Sequence, residues 1–198
     1  MSEHNAKLAT LIGSRICHDL ISPVGAITNG IELLEMTGGM EGPELELISD
    51  SVHNAGARIR FFRIAFGMAS DQMLGRLEVT SVLKDVSRGA RLQYDWQPEG
   101  AHPRAMVRME FLALQCCETF MPYGGTVRVA YSDDQWTITG EADKLNIDPM
   151  LWSLLSGVTS STTITPAQVQ FMLLPAAAQA EGRRIEASHD GGSMALRF

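Results

Sequence analysis

The chain has 198 residues, of which 45% are hydrophobic and 20% charged, and its formal net charge is −7. This composition is typical of an ordinary globular protein with one large domain or two small ones. The acidic balance disfavours a broad electrostatic contact with nucleic acid, and no apolar run approaches the roughly 20 residues that cross a bilayer. We therefore expect no nucleic-acid partner and no membrane partner.

The cysteines and the N-terminus indicate a reducing compartment. Cys17, Cys116 and Cys117 are odd in number, and two adjacent cysteines do not easily form a relaxed disulfide. The first residues lack a basic region followed by an apolar export segment. We expect a cytoplasmic protein with no bound metal.

The first predicted element is a long amphipathic helix. Its apolar residues recur at steps of three and four, which places them on one face. They are Leu8, Ile12, Ile16, Leu20, Val24, Ile27, Ile31 and Leu34. A segment with three glycines and a proline, residues 37–43, is expected to end this helix and reverse the chain.

His18 lies on this helix, on the side away from the apolar stripe. An unperturbed imidazole has a pKa of roughly 6.5 and is a neutral nucleophile near pH 7. Its own face carries small uncharged residues rather than long charged ones, so a partner protein can approach the ring closely. These residues are Ser14, Ser22, Gly25 and Asn29. The pattern predicts a phosphoryl-accepting histidine on a docking surface, against the alternative of an ordinary surface or capping histidine.

Two charged neighbours are further candidates. Asp19 is placed to orient His18 or to take its proton, and the alternative is a solvated helix carboxylate. Arg15 is placed to steer a phosphate or to pair with a carboxylate of the partner, and the alternative is an ordinary surface arginine.

A second helix is predicted by apolar residues that again alternate steps of three and four. They are Leu45, Ile48, Val52, Ala55, Ile59, Phe62 and Phe66. A helical hairpin of about 70 residues exposes more apolar surface than two helices cover, so we expect a homodimer that forms a four-helix bundle. The alternative is that the rest of the same chain covers this seam.

After residues 70–72 the pattern changes to shorter elements between turn signals. We predict strands at 77–79, 91–96, 126–131, 135–139, 184–188 and 193–198, and helices at 82–89, 109–120 and 166–181. This order predicts an α/β sandwich, with a mixed sheet covered on one face by helices. The expected fold is thus α+β, with a helical domain at residues 1–72 and the sandwich at residues 73–198.

At this point the sequence resembles a known arrangement. His18-Asp19-Leu20 followed by Ser22-Pro23 resembles the H box of histidine kinase dimerisation domains, which also begins a dimerising helical hairpin. Residues 120–127 and 182–186 are similar to two segments of the kinase ATPase domain, an aromatic-x-Pro-x-Gly-Gly run and a Gly-Gly-x-Ile-Glu strand. The resemblance covers nearly the whole chain.

The segments that hold ATP in those kinases are absent from the sequence. Cys116 and Leu112 stand where the kinases place asparagines, and neither is a hard oxygen donor of the kind that Mg²⁺ prefers. Residues 140–144 do not carry the adenine-recognising Asp-x-Gly-x-Gly pattern, and residues 162–167 do not form a glycine-rich phosphate loop. We expect no ATP binding in the kinase manner.

An H box joined to an ATPase-like domain without ATP motifs resembles the ChpT-type histidine phosphotransferases of bacterial cell-cycle signalling. That resemblance implies a homodimer that relays a phosphoryl group through His18. The donor is expected to be the receiver domain of a CckA-like hybrid histidine kinase, and the acceptors are expected to be CtrA-like and CpdR-like response regulators. No cofactor is expected on this chain, and Mg²⁺ is expected to come from the receiver.

Two other functions are weighed against this one. An ATP-using histidine kinase has the same H box but needs the missing nucleotide motifs. A dimeric adaptor that binds receivers without any transfer needs neither His18 nor Asp19, and the presence of both in H-box order favours transfer.

Overall fold

A computed structural model describes residues 3–37, 42–157 and 163–198 of the chain, and the structural statements below concern those residues. Helix α1 (Glu3–Thr37) and helix α2 (Pro43–Ala65) pack against each other and confirm the predicted hairpin. Most of the predicted reversal segment lies outside the described residues, at 38–41. Gly42, with φ 149°, precedes a proline at the first position of α2, where no backbone donor is needed.

The rest of the chain alternates short strands and helices. The elements are β1 (Met73–Gly75), α3 (Arg76–Ser87), β2 (Leu92–Trp96), β3 (Ala101–Pro103), α4 (Arg104–Phe120), β4 (Gly125–Ser132), β5 (Gln135–Glu141), α5 (Pro149–Leu155), a 3-10 helix (Pro166–Gln168), α6 (Gln170–Ala180), β6 (Glu186–Asp190) and β7 (Ser193–Arg197). Five strands form a mixed sheet in the order β2-β4-β5-β7-β6, in which only β2 and β4 are parallel. Strands β1 and β3 form a separate antiparallel pair.

The predicted strand at residues 77–79 is wrong, because this segment lies inside α3. Val79, Val82 and Leu83 are all buried, and their spacing places them on one face of a helix. The short strands β1 and β3 and helix α5 were not predicted. The final helix begins at Gln170 rather than at residue 166, because residues 166–168 form the 3-10 turn that precedes it.

A two-residue turn joins β4 and β5, between the strands predicted at residues 126–131 and 135–139. Its two central residues, Asp133 and Asp134, have φ of 51° and 59°. Positive φ at both central positions is the conformation of the two-residue hairpin turns whose twist matches that of paired strands.

The C-terminal end of α2 belongs to the core of the sandwich. Phe61, Phe62 and Ile64 are buried, and the ring of Phe61 lies 4.7 Å from that of Phe111 on α4. Helix α2 also contacts α3, and α1 contacts the 3-10 helix. The hairpin and the sandwich therefore share packed side chains, which fixes the middle of α1 relative to α4 and α6.

Within the described ranges, no helix has the combination of length and apolar character that a membrane span requires.

Candidate functional site

His18 lies near the middle of α1 with its side chain 80% exposed. Its Nδ1 atom is 3.1 Å from Oδ1 of Asp19. An ionised carboxylate only accepts hydrogen bonds, so this contact requires the proton to be on Nδ1. The lone pair then lies on Nε2, the ring nitrogen that this contact leaves unused.

Asp19, in contrast, is held within the protein. Its side chain is only 10% exposed, and its second oxygen, Oδ2, accepts a hydrogen bond of 2.8 Å from Nε of Arg15. Nη1 of Arg58, from the facing helix α2, lies 3.5 Å from the same oxygen. Nε of Arg58 donates to Oδ1 of Asn54, which orients this second guanidinium. The two oxygens of Asp19 thus have separate partners, His18 on one side and two arginines on the other.

Arg15 does not lie on the predicted docking surface. Its side chain is 11% exposed and points from α1 toward the sandwich, where Nη1 donates to the carbonyl oxygen of Ala167 at 2.8 Å. Nη2 lies 3.9 Å from a carboxylate oxygen of Glu118 on α4. The guanidinium of Arg15 is thus engaged inside the chain, unlike that of an ordinary surface arginine. Its predicted contact with a phosphate or a carboxylate of the partner stays a prediction.

The other predicted docking residues are exposed and share the face of His18. Steps of 4, 7 and 11 residues return an α-helix to within about 40° of the same side. The residues concerned are Ser14, Ser22, Gly25 and Asn29. Apart from its own stretch of helix, a Cβ atom built on Gly25 would meet no described atom within 4 Å, so the space beside Gly25 is open.

A cleft of about 480 Å³ opens behind Asp19, between the hairpin and the sandwich. Its lining includes residues from both parts, among them Arg15, Asp19, Arg58, Tyr94, Gln115 and Glu118. Burial, reinforced by the nearby charge of Glu118, raises the pKa of Tyr94 above its ordinary value, so the phenol stays protonated. Asp19 thus separates an exposed ring from an internal cleft.

The residues that replace the kinase asparagines are part of the apolar core. Leu112 and Cys116 on α4 are both fully buried. Burial raises the pKa of the Cys116 thiol well above its ordinary value, and it raises that of Cys117 to about 12, so both thiols are neutral at pH 7. In the ranges that the structure covers, no three His, Cys, Asp or Glu side chains are grouped as metal ligands would be.

Sequence reasoning missed three contributors to this site: Arg58, Glu118 and Ala167. Arg58 is on the second helix, and the other two lie about 100 and 150 residues beyond His18. No spacing rule relates them to the site. The packing of α2 on α1 brings Arg58 to Asp19, and the packing of the hairpin on the sandwich brings Glu118 and Ala167 to Arg15. The apolar repeat that includes Ile59 predicts which face of α2 packs on α1. It does not predict that the neighbouring Arg58 contacts Asp19.

Comparison with known proteins finds similarity to phosphotransferases. Residues 76–193 match the family described as "Histidine phosphotransferase C-terminal domain". The chain is 36% identical over 172 residues to the "Protein phosphotransferase ChpT" of Brucella abortus (strain 2308), a match that covers 82% of this chain and 81% of that protein. It is also similar to a solved structure of a bacterial phosphotransferase, with 31% identity and a TM-score of 0.82 over 100% of this chain and 97% of the other.

Proposed function

We propose that this chain, which belongs to the ChpT-type family of histidine phosphotransferases, carries a phosphoryl group on Nε2 of His18. The group would arrive from an aspartyl phosphate on one receiver domain and leave to an aspartate on another. The single observation that carries the proposal is the exposed ring of His18 with its Nδ1 bound to the buried, arginine-held carboxylate of Asp19.

The transfer needs little covalent chemistry from this chain. The Nε2 lone pair attacks phosphorus in line with the departing carboxylate, the N–P bond forms as the P–O bond breaks, and the aspartate leaves with the electron pair. The ring becomes positively charged in this step, while Nδ1 keeps its proton. Asp19 stabilises that charge through the Nδ1–H contact and accepts the proton if the ring is to become neutral again.

We propose that Mg²⁺ and the acidic pocket come from the receiver and that this chain binds neither Mg²⁺ nor ATP. The burial of Cys116 and Leu112 supports this, because a neutral thiol and an alkyl side chain inside a core offer no hard oxygen ligand. His18 then acts as a nucleophile on a fixed helix, and the partner supplies the charge neutralisation.

We also propose a homodimer that forms a four-helix bundle. Val24 and Ile31 on α1 are 52% and 46% exposed, and Val52 and Ile59 on α2 are 51% and 48% exposed. All four belong to the predicted apolar stripes of the two helices, and the sandwich of the same chain leaves them about half exposed to solvent. Burial against a second hairpin would remove this apolar surface from water.

The family suggests the partners. We propose a CckA-like hybrid kinase receiver as donor and CtrA-like and CpdR-like response regulators as acceptors, acting in the cytoplasm in cell-cycle control. The small, uncovered face around Gly25 supports docking of such domains, because their own phosphorylated pocket must approach His18 within bonding distance.

The test compares phosphate donors. Labelled ATP alone should leave the protein unlabelled, whereas a receiver domain already carrying labelled aspartyl phosphate should label it, and His18→Ala should abolish that labelling. Labelling by ATP alone would indicate a kinase. Receiver binding with no phosphate on the chain would indicate a non-catalytic adaptor.

A further inference from the structure

We infer that Arg15 is a positioning residue through which the sandwich sets the orientation of Asp19 and, with it, the tautomer of His18. Its effect on transfer rests on the function proposed above, but its effect on the ring does not. The ATPase-like part of the chain then contributes to the phosphorylation site without binding a nucleotide.

The guanidinium of Arg15 contacts three different elements with three different nitrogens. Nε donates to Asp19 on its own helix, Nη1 donates to the Ala167 carbonyl in the 3-10 helix, and Nη2 faces Glu118 on α4. A planar guanidinium offers these donors in fixed directions, so anchoring two of them fixes the third. Nε, and therefore Oδ2 of Asp19, is held by the position of the sandwich.

The carbonyl that anchors Arg15 is itself tied to the core. Gln170 is fully buried, and its Nε2 donates to the Ala167 carbonyl at 3.0 Å and to Oγ1 of Thr119 on α4 at 2.9 Å. The 3-10 helix is closed at its start because the side chain of Gln168 accepts hydrogen bonds from the backbone and hydroxyl of Thr165. A continuous series of hydrogen bonds thus runs from α4 through Gln170 and Ala167 to Arg15.

This series decides which oxygen of Asp19 faces His18. With Oδ2 engaged by Arg15 and approached by Arg58, Oδ1 remains for Nδ1 of His18. If the carboxylate turns, the preference for Nδ1–H is lost, and the lone pair is shared between the two ring nitrogens. Glu118 is 44% exposed and contributes less, because solvent screens its charge.

The test replaces Arg15 by Lys, which keeps the charge but cannot reach three partners at once, and by Gln, which removes the charge. The ¹⁵N shifts of the His18 ring report its tautomer directly. We expect the Nδ1–H fraction to fall in both variants, and the rate of transfer from a phosphorylated receiver to fall roughly tenfold or more, with receiver affinity unchanged.

Arg60→Gln is the matched control. Nη2 of Arg60 lies 2.7 Å from a carboxylate oxygen of Asp85, so this ion pair also joins the hairpin to the sandwich, but it does not touch Asp19. Its loss should leave both the ring tautomer and the transfer rate unchanged. An equal effect of Arg60→Gln and Arg15→Gln would mean that only general packing of the two parts matters, and would overturn the inference.

A double-mutant cycle with Asp19→Asn completes the test. If Arg15 acts through Asp19, Arg15→Gln should slow transfer little further in the Asp19→Asn background. The inference would be contradicted if the losses of transfer rate from Arg15→Gln and Asp19→Asn multiplied in the double variant. It would also be contradicted by a folded Arg15→Gln variant in which the His18 tautomer is unchanged. If the wild type takes no phosphate from any receiver, the proposed function fails, and the ¹⁵N shifts still decide the role of Arg15.

Discussion

Asp19 presents Oδ1 to Nδ1 of His18 at 3.1 Å, although the two side chains differ sharply in exposure, at 10% and 80%. An exposed ring thus contacts a carboxylate that the protein holds in place. This combination leaves Nε2 accessible to a partner and keeps the orientation of the ring under the control of the fold.

Replacing Asp19 should slow transfer more than it weakens docking. Asp19→Ala removes the Nδ1–H partner and the negative charge, so we expect a loss of rate on the order of 10²-fold. The transfer rate of Asp19→Asn should lie between those of the wild type and Asp19→Ala, because the amide oxygen still accepts a hydrogen bond. Single-turnover transfer at saturating receiver measures this, with Asp85→Asn as the control, because that carboxylate pairs with Arg60 and does not contact His18. A normal transfer rate in Asp19→Ala would show that Asp19 has no role in the transfer.

The docking surface is tested at Gly25. Because no described atom beyond the adjacent helix turns lies within 4 Å of a Cβ atom built there, Gly25→Trp should fold normally and still obstruct a receiver that approaches His18. We expect weaker receiver binding, by roughly 2 kcal/mol or more, as for a change at the centre of an interface. Titration with the receiver, followed by calorimetry, measures this loss.

Gly13→Trp is the control for that change. Gly13 is also exposed, and an added Cβ would likewise meet no described atom outside its own helix turns within 4 Å. Five residues, however, turn the helix by about 140°, so Gly13 faces away from His18. It should bind the receiver normally. Equal losses from both variants would mean that the receiver docks elsewhere, or that bulk anywhere on α1 is disruptive.

The proposed bundle predicts that charges in the exposed seam will dissociate it. Ile31→Asp combined with Val52→Asp would place four carboxylates in the dimer core, two from each chain, where unpaired charges are strongly unfavourable. We expect a monomer by analytical ultracentrifugation at concentrations where the wild type is a dimer. Leu77→Asp, at an 84% exposed position on α3, should remain dimeric. A monomeric wild type would refute the bundle.

Glu110 makes stability depend on pH. It is fully buried, and its carboxylate oxygens have no hydrogen-bond partner in the part of the chain that the structure describes. Burial raises its pKa well above the ordinary value, and the charge of Arg183 offsets only part of this shift. The folded state therefore binds this proton more tightly than the unfolded state. This contribution to stability is complete below about pH 4.3, the pKa of a glutamate in the unfolded chain. It is lost as the pH rises toward and through the pKa of Glu110 in the folded state.

Glu110→Met should accordingly raise the free energy of unfolding at pH 8 by about 1–3 kcal/mol, because it removes an unsatisfied buried group. Urea unfolding at pH 5 and pH 8 should show a smaller gain at the lower pH. Glu99→Met, at a side chain that is 81% exposed, is the control and should change little. A Glu110→Met variant that is less stable at pH 8 would show that the carboxylate has a favourable partner.

The hairpin and most of the strands were predictable because their signals are local. Steps of three and four identify α1 and α2, and alternation identifies β4 and β5. Helix α5 also has a local signal, since Asp148 caps its first turn and Pro149 follows, but the helix is only 7 residues long. The strand predicted at residues 77–79 was wrong because a three-residue window does not distinguish a strand from the first turn of a helix.

The site itself was only half predictable. His18, Asp19 and the small face around Gly25 follow from helix geometry within one segment. The burial of Arg15 does not, because it depends on Ala167 and Glu118, which are distant in sequence and adjacent only after the hairpin packs on the sandwich. An isolated helix would leave Arg15 free to meet a partner, whereas in the folded chain its guanidinium already has contacts within the protein.

The most direct test of the account identifies the phosphorylated atom. After transfer from a phosphorylated receiver, ¹H–¹⁵N correlation spectra distinguish phosphate on Nε2 from phosphate on Nδ1 of a histidine ring. We predict a single phosphohistidine, at His18, with phosphorus on Nε2 and the proton still on Nδ1. Phosphate on Nδ1, or on any residue other than His18, would contradict the proposed role of the contact with Asp19.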